Sequence, residues 1–99
     1  MTSRQVSLSV NEEKIETDYF VQGFIDHTIG GMLTGLEGTG EIKSLDLVIE
    51  GDKVNITLND SEVSLNPFPS RIIRNTITGM ISSLKGVSAI NRMTINIRR

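Results

Sequence analysis

Alternation of apolar and polar residues marks out the strands of this chain. Val6, Leu8 and Val10 alternate with Ser7, Ser9 and Asn11, the period of two that a half-buried strand shows. The alternation returns at Leu45, Leu47 and Ile49, at Val54, Ile56 and Leu58, and at Met93, Ile95 and Ile97. Between these runs the spacing becomes helical. Phe20, Phe24, Ile25, Ile29, Met32, Leu33 and Leu36 form one apolar series, and Phe68, Ile72, Ile73, Ile77, Met80, Ile81 and Leu84 form another. Asp18 is placed to begin the first helix, and Asn66, followed by Pro67, to cap the second. Gly38 and Gly86 lie just past the last apolar residue of each series, where a left-handed C-cap favours glycine. Segments 13–17 and 62–65 carry Ile15, and Val63 with Leu65, and are candidates for short return strands.

Displaced by 48 residues, the sequence aligns with itself without a gap. Gln5-Val6-Ser7-Leu8-Ser9-Val10-Asn11 falls on Lys53-Val54-Asn55-Ile56-Thr57-Leu58-Asn59, and Thr28-Ile29-Gly30-Gly31-Met32 on Thr76-Ile77-Thr78-Gly79-Met80. Twelve of the 46 pairs from 5/53 to 50/98 are identical. The reading is one domain, 1–99, made of two tandem units, 5–50 and 53–98. Gly51-Asp52 between two alternating runs predicts a two-residue hairpin with a primed turn. The order is then β-α-β-β-α-β, an α+β chain with the ferredoxin-like plan, in which two helices cover one face of an antiparallel sheet. The alternative is a ββαβ pseudo-dimer. If segments 13–17 and 62–65 are strands, their hairpin partners compete for the edges of the first strand of each unit, and the strand order changes.

The alternation also assigns faces. Ser7, Ser9, Asp46, Val48, Asn55, Thr57, Thr94, Asn96 and Arg98 point away from the helices. That face is short, polar and without an aromatic ring, so it lacks the stacking platform of a sheet that reads single-stranded RNA. It is a solvated face or a flat seat for a second sheet. The helical series cover more than half of each helix's circumference, wider than a helix resting on a sheet requires. Thr28, Gly31 and Gly35 match Thr76, Gly79 and Ser83 as strips of small residues. Close packing of the two helices against each other is the expectation, with self-association as the other reading.

Charge divides unevenly. Residues 1–50 carry three basic and nine acidic side chains, and residues 51–99 seven basic and three acidic, within a net charge of −2. Equivalent positions take opposite signs: Asp26 against Arg74, Glu37 against Lys85, Glu50 against Arg98. Asp26, Glu37, Arg71, Arg74, Lys85 and Arg98 are therefore the candidate interaction surface, through which two copies would meet by charge complementarity. Arg92, Arg98 and Arg99 form a second, cationic cluster for a nucleic-acid backbone, a reading that the net negative charge disfavours.

Catalytic chemistry finds little to work with. There is no cysteine and a single histidine, His27, which removes thiol nucleophiles, Cys-ligated metals and poly-histidine sites. Gly35-Leu36-Glu37-Gly38-Thr39-Gly40 follows a helix, whereas phosphate-cradling loops open one. Glu12, Glu13, Glu16, Asp60 and Glu62 decorate turns, without the shielding that tunes a catalytic carboxylate. Val21-Gln22-Gly23 is similar to a fragment of the acylphosphatases, a family of the same plan. That family's phosphate-holding arginine has no counterpart between Arg4 and Arg71, and no activity follows. No catalytic, cofactor-binding or metal-ligating residue is assigned. No apolar run approaches the roughly 18 residues of a membrane span, and Met1-Thr2-Ser3-Arg4-Gln5 lacks a signal-peptide core, so a cytoplasmic protein is expected. The expected function is a non-enzymatic interaction or ligand-sensing module that self-associates. A pocket between units or subunits for a small molecule, catalytic or not, is the alternative. Nucleic-acid binding through the C-terminal arginines is the second.

Overall fold

The computed structural model describes residues 5–37, 41–84, 87 and 89–99. The chain runs β1 (Gln5–Val10), β2 (Glu13–Ile15), α1 (Tyr19–Glu37), β3 (Ser44–Glu50), β4 (Lys53–Leu58), β5 (Ser61–Val63), α2 (Pro67–Ser82) and β6 (Arg92–Arg98). The strands form one antiparallel sheet of six, in the order β2-β1-β6-β3-β4-β5. Segments 13–17 and 62–65 do contribute strands, so each half reads ββαβ.

That outcome corrects the four-stranded plan. In the ferredoxin-like order the first strand of each half lies in the centre. Here β3 and β6 hold the centre, paired along seven residues from Ser44↔Arg98 to Glu50↔Arg92. The cause is local. A strand has two edges, and β2 occupies one edge of β1 while β5 occupies one edge of β4. Neither β1 nor β4 can then sit between two long strands. Each pairs instead with the last strand of the opposite half, β1 with β6 and β4 with β3. The resulting order reads the same from either end when the halves are exchanged.

Turn chemistry sets these hairpins. Asn11 and Glu12, and likewise Asn59 and Asp60, take positive φ values of 52°, 69°, 48° and 69°, the left-handed pair that a primed two-residue turn requires. Asparagine tolerates this region better than most residues. Between the halves, Glu50 pairs with Lys53 across a two-residue loop, and Gly51 takes φ 58° there, as the sequence anticipates.

The register stacks apolar residues in rows across the sheet. Val6, Ile97, Leu45 and Leu58 form one row, and Val10, Met93, Ile49 and Val54 another. The middle row crosses all six strands through Ile15, Leu8, Ile95, Leu47, Ile56 and Val63. Against this floor α1 buries Ile25, Ile29 and Leu33, and α2 buries Ile73, Ile77 and Ile81, each set spaced by four along one helical stripe. All the β1 positions expected inside are buried, whereas Val54 and Leu58 on β4 are only half-buried. α1 has 19 residues and α2 has 16, so the longer helix covers its end of the sheet more fully.

Asp18 caps α1, its carboxylate accepting from the Val21 N–H at 2.8 Å. Asn66 makes no side-chain cap bond, and proline at the first turn starts α2 instead. That helix stops at Ser82, short of Leu84, where the Ser83 and Leu84 N–H groups bond back three residues to Met80 and Ile81. The capping roles of Gly38 and Gly86 fall outside the described residues.

Candidate functional site

The core of the described residues is wholly aliphatic and sulfur-containing, from Val6 to Ile97. The chain has three phenylalanines, one tyrosine and no tryptophan, and all four rings lie at the surface. Tyr19 is 79% exposed, Phe20 74%, Phe24 52% and Phe68 63%. Aromatic rings normally dominate buried area; here Tyr19, Phe20 and Phe24 lie together on the first turns of α1 and define the site, with Phe68 apart on the first turn of α2.

Helix geometry explains the placement. The buried stripe of α1 is Ile25, Ile29 and Leu33. Phe20 and Phe24 are four apart on the neighbouring stripe, which continues through Thr28, Gly31 and Gly35. The floor of the sheet takes the first stripe, and among the described residues the second is left largely exposed. The Phe20 and Phe24 rings stand 6.3 Å apart between centroids, tilted by 40°. They wall an apolar groove of about 480 Å³ between the helices, closed on the other side by Thr76, Met80, Ile81, Ser83 and Leu84. This joins the first half of α1 to the last turns of α2, so the helices run in opposite senses. On the outer flank of the same ridge, Tyr19, Gly23 and His27 line a shallow shelf.

The small-residue strips do not do what their spacing suggests. A Cβ built on Gly31, Gly35 or Gly79 meets nothing within 4 Å, so close helix packing is not their reason. Gly30 is the crowded position, with Arg99 Nη2 3.0 Å and Ile42 Cδ1 3.6 Å from where a Cβ would stand.

Arg99 passes over Gly30 to reach Asp26, which is only 2% exposed. Its Nε and Nη2 both donate to Asp26 Oδ1, at 2.9 and 2.7 Å. Asp26 is therefore an internal anchor rather than part of an exposed acidic face. The other charged candidates are also dispersed. Arg71 is exposed on α2, and Arg74 lies 3.8 Å from Asp52. Arg98 is on the open sheet face beyond the helices, 3.0 Å from Asp46, whose Oδ1 also accepts from Asn96 at 2.6 Å. Glu37 ends α1, and Lys85 lies outside the described residues. Among the described side chains, Asp26, Arg74 and Arg98 do not share one surface. The three C-terminal arginines are also separately engaged, Arg92 with Glu12 at 3.7 Å, Arg98 with Asp46 and Arg99 with Asp26.

His27 is exposed beside buried Asp26, since adjacent helical residues point to different faces. Among the described residues no three His, Cys, Asp or Glu side chains gather to hold a metal ion. Among the described residues no helix is long and apolar enough to cross a membrane. Comparison with known protein families, characterised proteins and solved structures finds no match for the chain.

One pair of residues escaped sequence reasoning. Asn11 and Asn59 each clip a hairpin of one half onto the loop entering the last strand of the other. Asn59 Oδ1 accepts from the Lys43 and Ser44 N–H groups at 2.8 and 3.0 Å, and its Nδ2 donates to the Glu41 carbonyl at 2.9 Å. Asn11 does the same with Asn91, Arg92 and Ala89, at 2.8, 3.1 and 2.8 Å. The available signal was their identity at positions 48 apart in the sequence, inside turns where side chains usually vary.

Proposed function

We propose that this chain is a non-enzymatic interaction module, and that the aromatic ridge and groove of its helix layer form its binding face. The observation that carries the reading is the exposure of Tyr19, Phe20 and Phe24 in a protein whose buried core is aliphatic and sulfur-containing. At roughly 200 Å² per ring, Tyr19, Phe20 and Phe24 alone present on the order of 400 Å² of apolar surface, the size at which patches on small proteins are commonly functional. No constellation for acid–base, nucleophilic or metal chemistry accompanies them among the described residues. The matched order of the two halves supports their origin as a tandem duplication. A cytoplasmic setting fits the absence of cysteine.

A small apolar molecule is the second reading of the same face, favoured by a groove volume within the usual range of ligand pockets. Binding of an environment-sensitive apolar dye to the folded protein at micromolar concentration tests the face itself. Wild type is expected to enhance the dye's emission, and Phe20→Ser with Phe24→Ser to lose most of that enhancement while staying folded. Undiminished emission from the double variant would place the binding surface elsewhere.

A further inference from the structure

We infer that the occupant of this face is a second copy of the same chain, docked about a twofold axis. The inference rests on the reading of the helix layer as a binding face. A twofold contact is self-complementary, and a surface that carries both a protrusion and a recess to receive it meets that condition. This face does: Phe20 and Phe24 form the ridge and also wall the groove beside it. Each ridge then seats in the partner's groove, against Met80 and Leu84.

Charge permits the arrangement. Among the described residues, neither the ridge nor the groove includes an Asp, Glu, Lys or Arg side chain, so stacking these two faces brings no like charges of theirs together and strands none of their ions in an apolar contact. The cations of α2, Arg71 and Arg74, lie in its first half, away from the turns that line the groove. Area permits it too. The three α1 rings supply about half of the ~800 Å² per partner that a stable interface buries, and the groove walls extend the patch. Other routes to a dimer are weaker. The sheet edges are strands of three residues, Glu13–Ile15 and Ser61–Val63, too short to template edge pairing. The open sheet face is polar and already occupied at its centre by the Asp46–Asn96–Arg98 cluster.

The test is light scattering behind size exclusion on the full chain, across a concentration series at low and high salt. A twofold dimer that persists at high salt is expected, because the contact is apolar. Phe20→Glu and Phe24→Glu are each expected to raise the dissociation constant at least about 30-fold. Both rings are outside the core, so circular dichroism keeps the wild-type signal, and unfolding midpoints agree when compared at concentrations where wild type is monomeric. Val48→Lys, at the centre of the open sheet face, is expected to leave the dimer intact. A monomer at every concentration overturns the second-copy inference, as does a dimer that survives both Phe variants or dissolves in Val48→Lys. Dye binding that still depends on Phe20 and Phe24 in a strictly monomeric protein would overturn only the choice of partner and keep the binding face.

Discussion

Asn11 and Asn59 each combine a left-handed backbone with three hydrogen bonds to the opposite half. Replacing Asn59 by alanine removes both contributions. The expected loss is about 2 kcal/mol in urea unfolding, from the lost bonds and the strain of alanine at positive φ. Asn59→Gly relieves the strain alone and is expected to lie between. An alanine variant that unfolds at the wild-type midpoint would contradict the clip. Arg99 is the second residue whose role is positional. Arg99→Ala is expected to cost about 2 kcal/mol, because a nearly buried carboxylate loses two charge-assisted donors. Arg99→Lys is expected to restore less than half, since an ammonium cannot reproduce the planar fork. The glycines separate cleanly by environment. Gly35→Ala and Gly79→Ala enter open space and should each stabilise the protein by roughly 0.5–1 kcal/mol through helix propensity. Gly30→Ala crowds the Arg99 guanidinium and should give no net gain. Thermal unfolding of the three variants distinguishes them. None of these distinctions is visible in the sequence: Gly30, Gly31 and Gly35 look alike until the C-terminal arginine is placed over one of them.

Among the elements, the strands and their inward faces were legible because period-two alternation and burial are the same fact seen twice. The long helices were legible for the same reason at a period of 3.6. Their buried stripe was not. Ile25, Ile29 and Leu33 and the Phe20–Phe24 pair all fall at helical spacing, and spacing cannot say which of two adjacent apolar stripes the sheet takes. The surplus width of that apolar surface was the available clue, and the structure leaves the surplus outside. Charge misled at the same scale. Asp26 has the polarity of a surface residue, yet it is buried because a partner 73 positions away arrives to satisfy it. Short strands carry little pattern of their own. β2 and β5, with three residues each, show one partly buried apolar side chain apiece, Ile15 and Val63. Removing the charge from the β5 edge would weaken its protection, so Glu62→Val is expected to increase aggregation on heating, read as turbidity, without lowering stability by more than about 0.5 kcal/mol.

For the whole molecule, two three-residue strands decide the topology. By occupying the outer edges of β1 and β4 they send β3 and β6 to the centre and interlace the two halves, each last strand lying between strands of the other half. The helices then cover one face of the sheet but leave their own outer side bare. This aromatic side is where two copies of the protein are proposed to meet. The most direct measurement is the amide spectrum of isotopically labelled protein, followed from millimolar to micromolar concentration. Changes confined to the first half of α1, Tyr19 to Thr28, and to the last turns of α2, Thr76 to Leu84, are the predicted result. Changes centred on Val48, Thr94 and Asn96 of the open sheet face would contradict it, as would a spectrum that does not change with concentration.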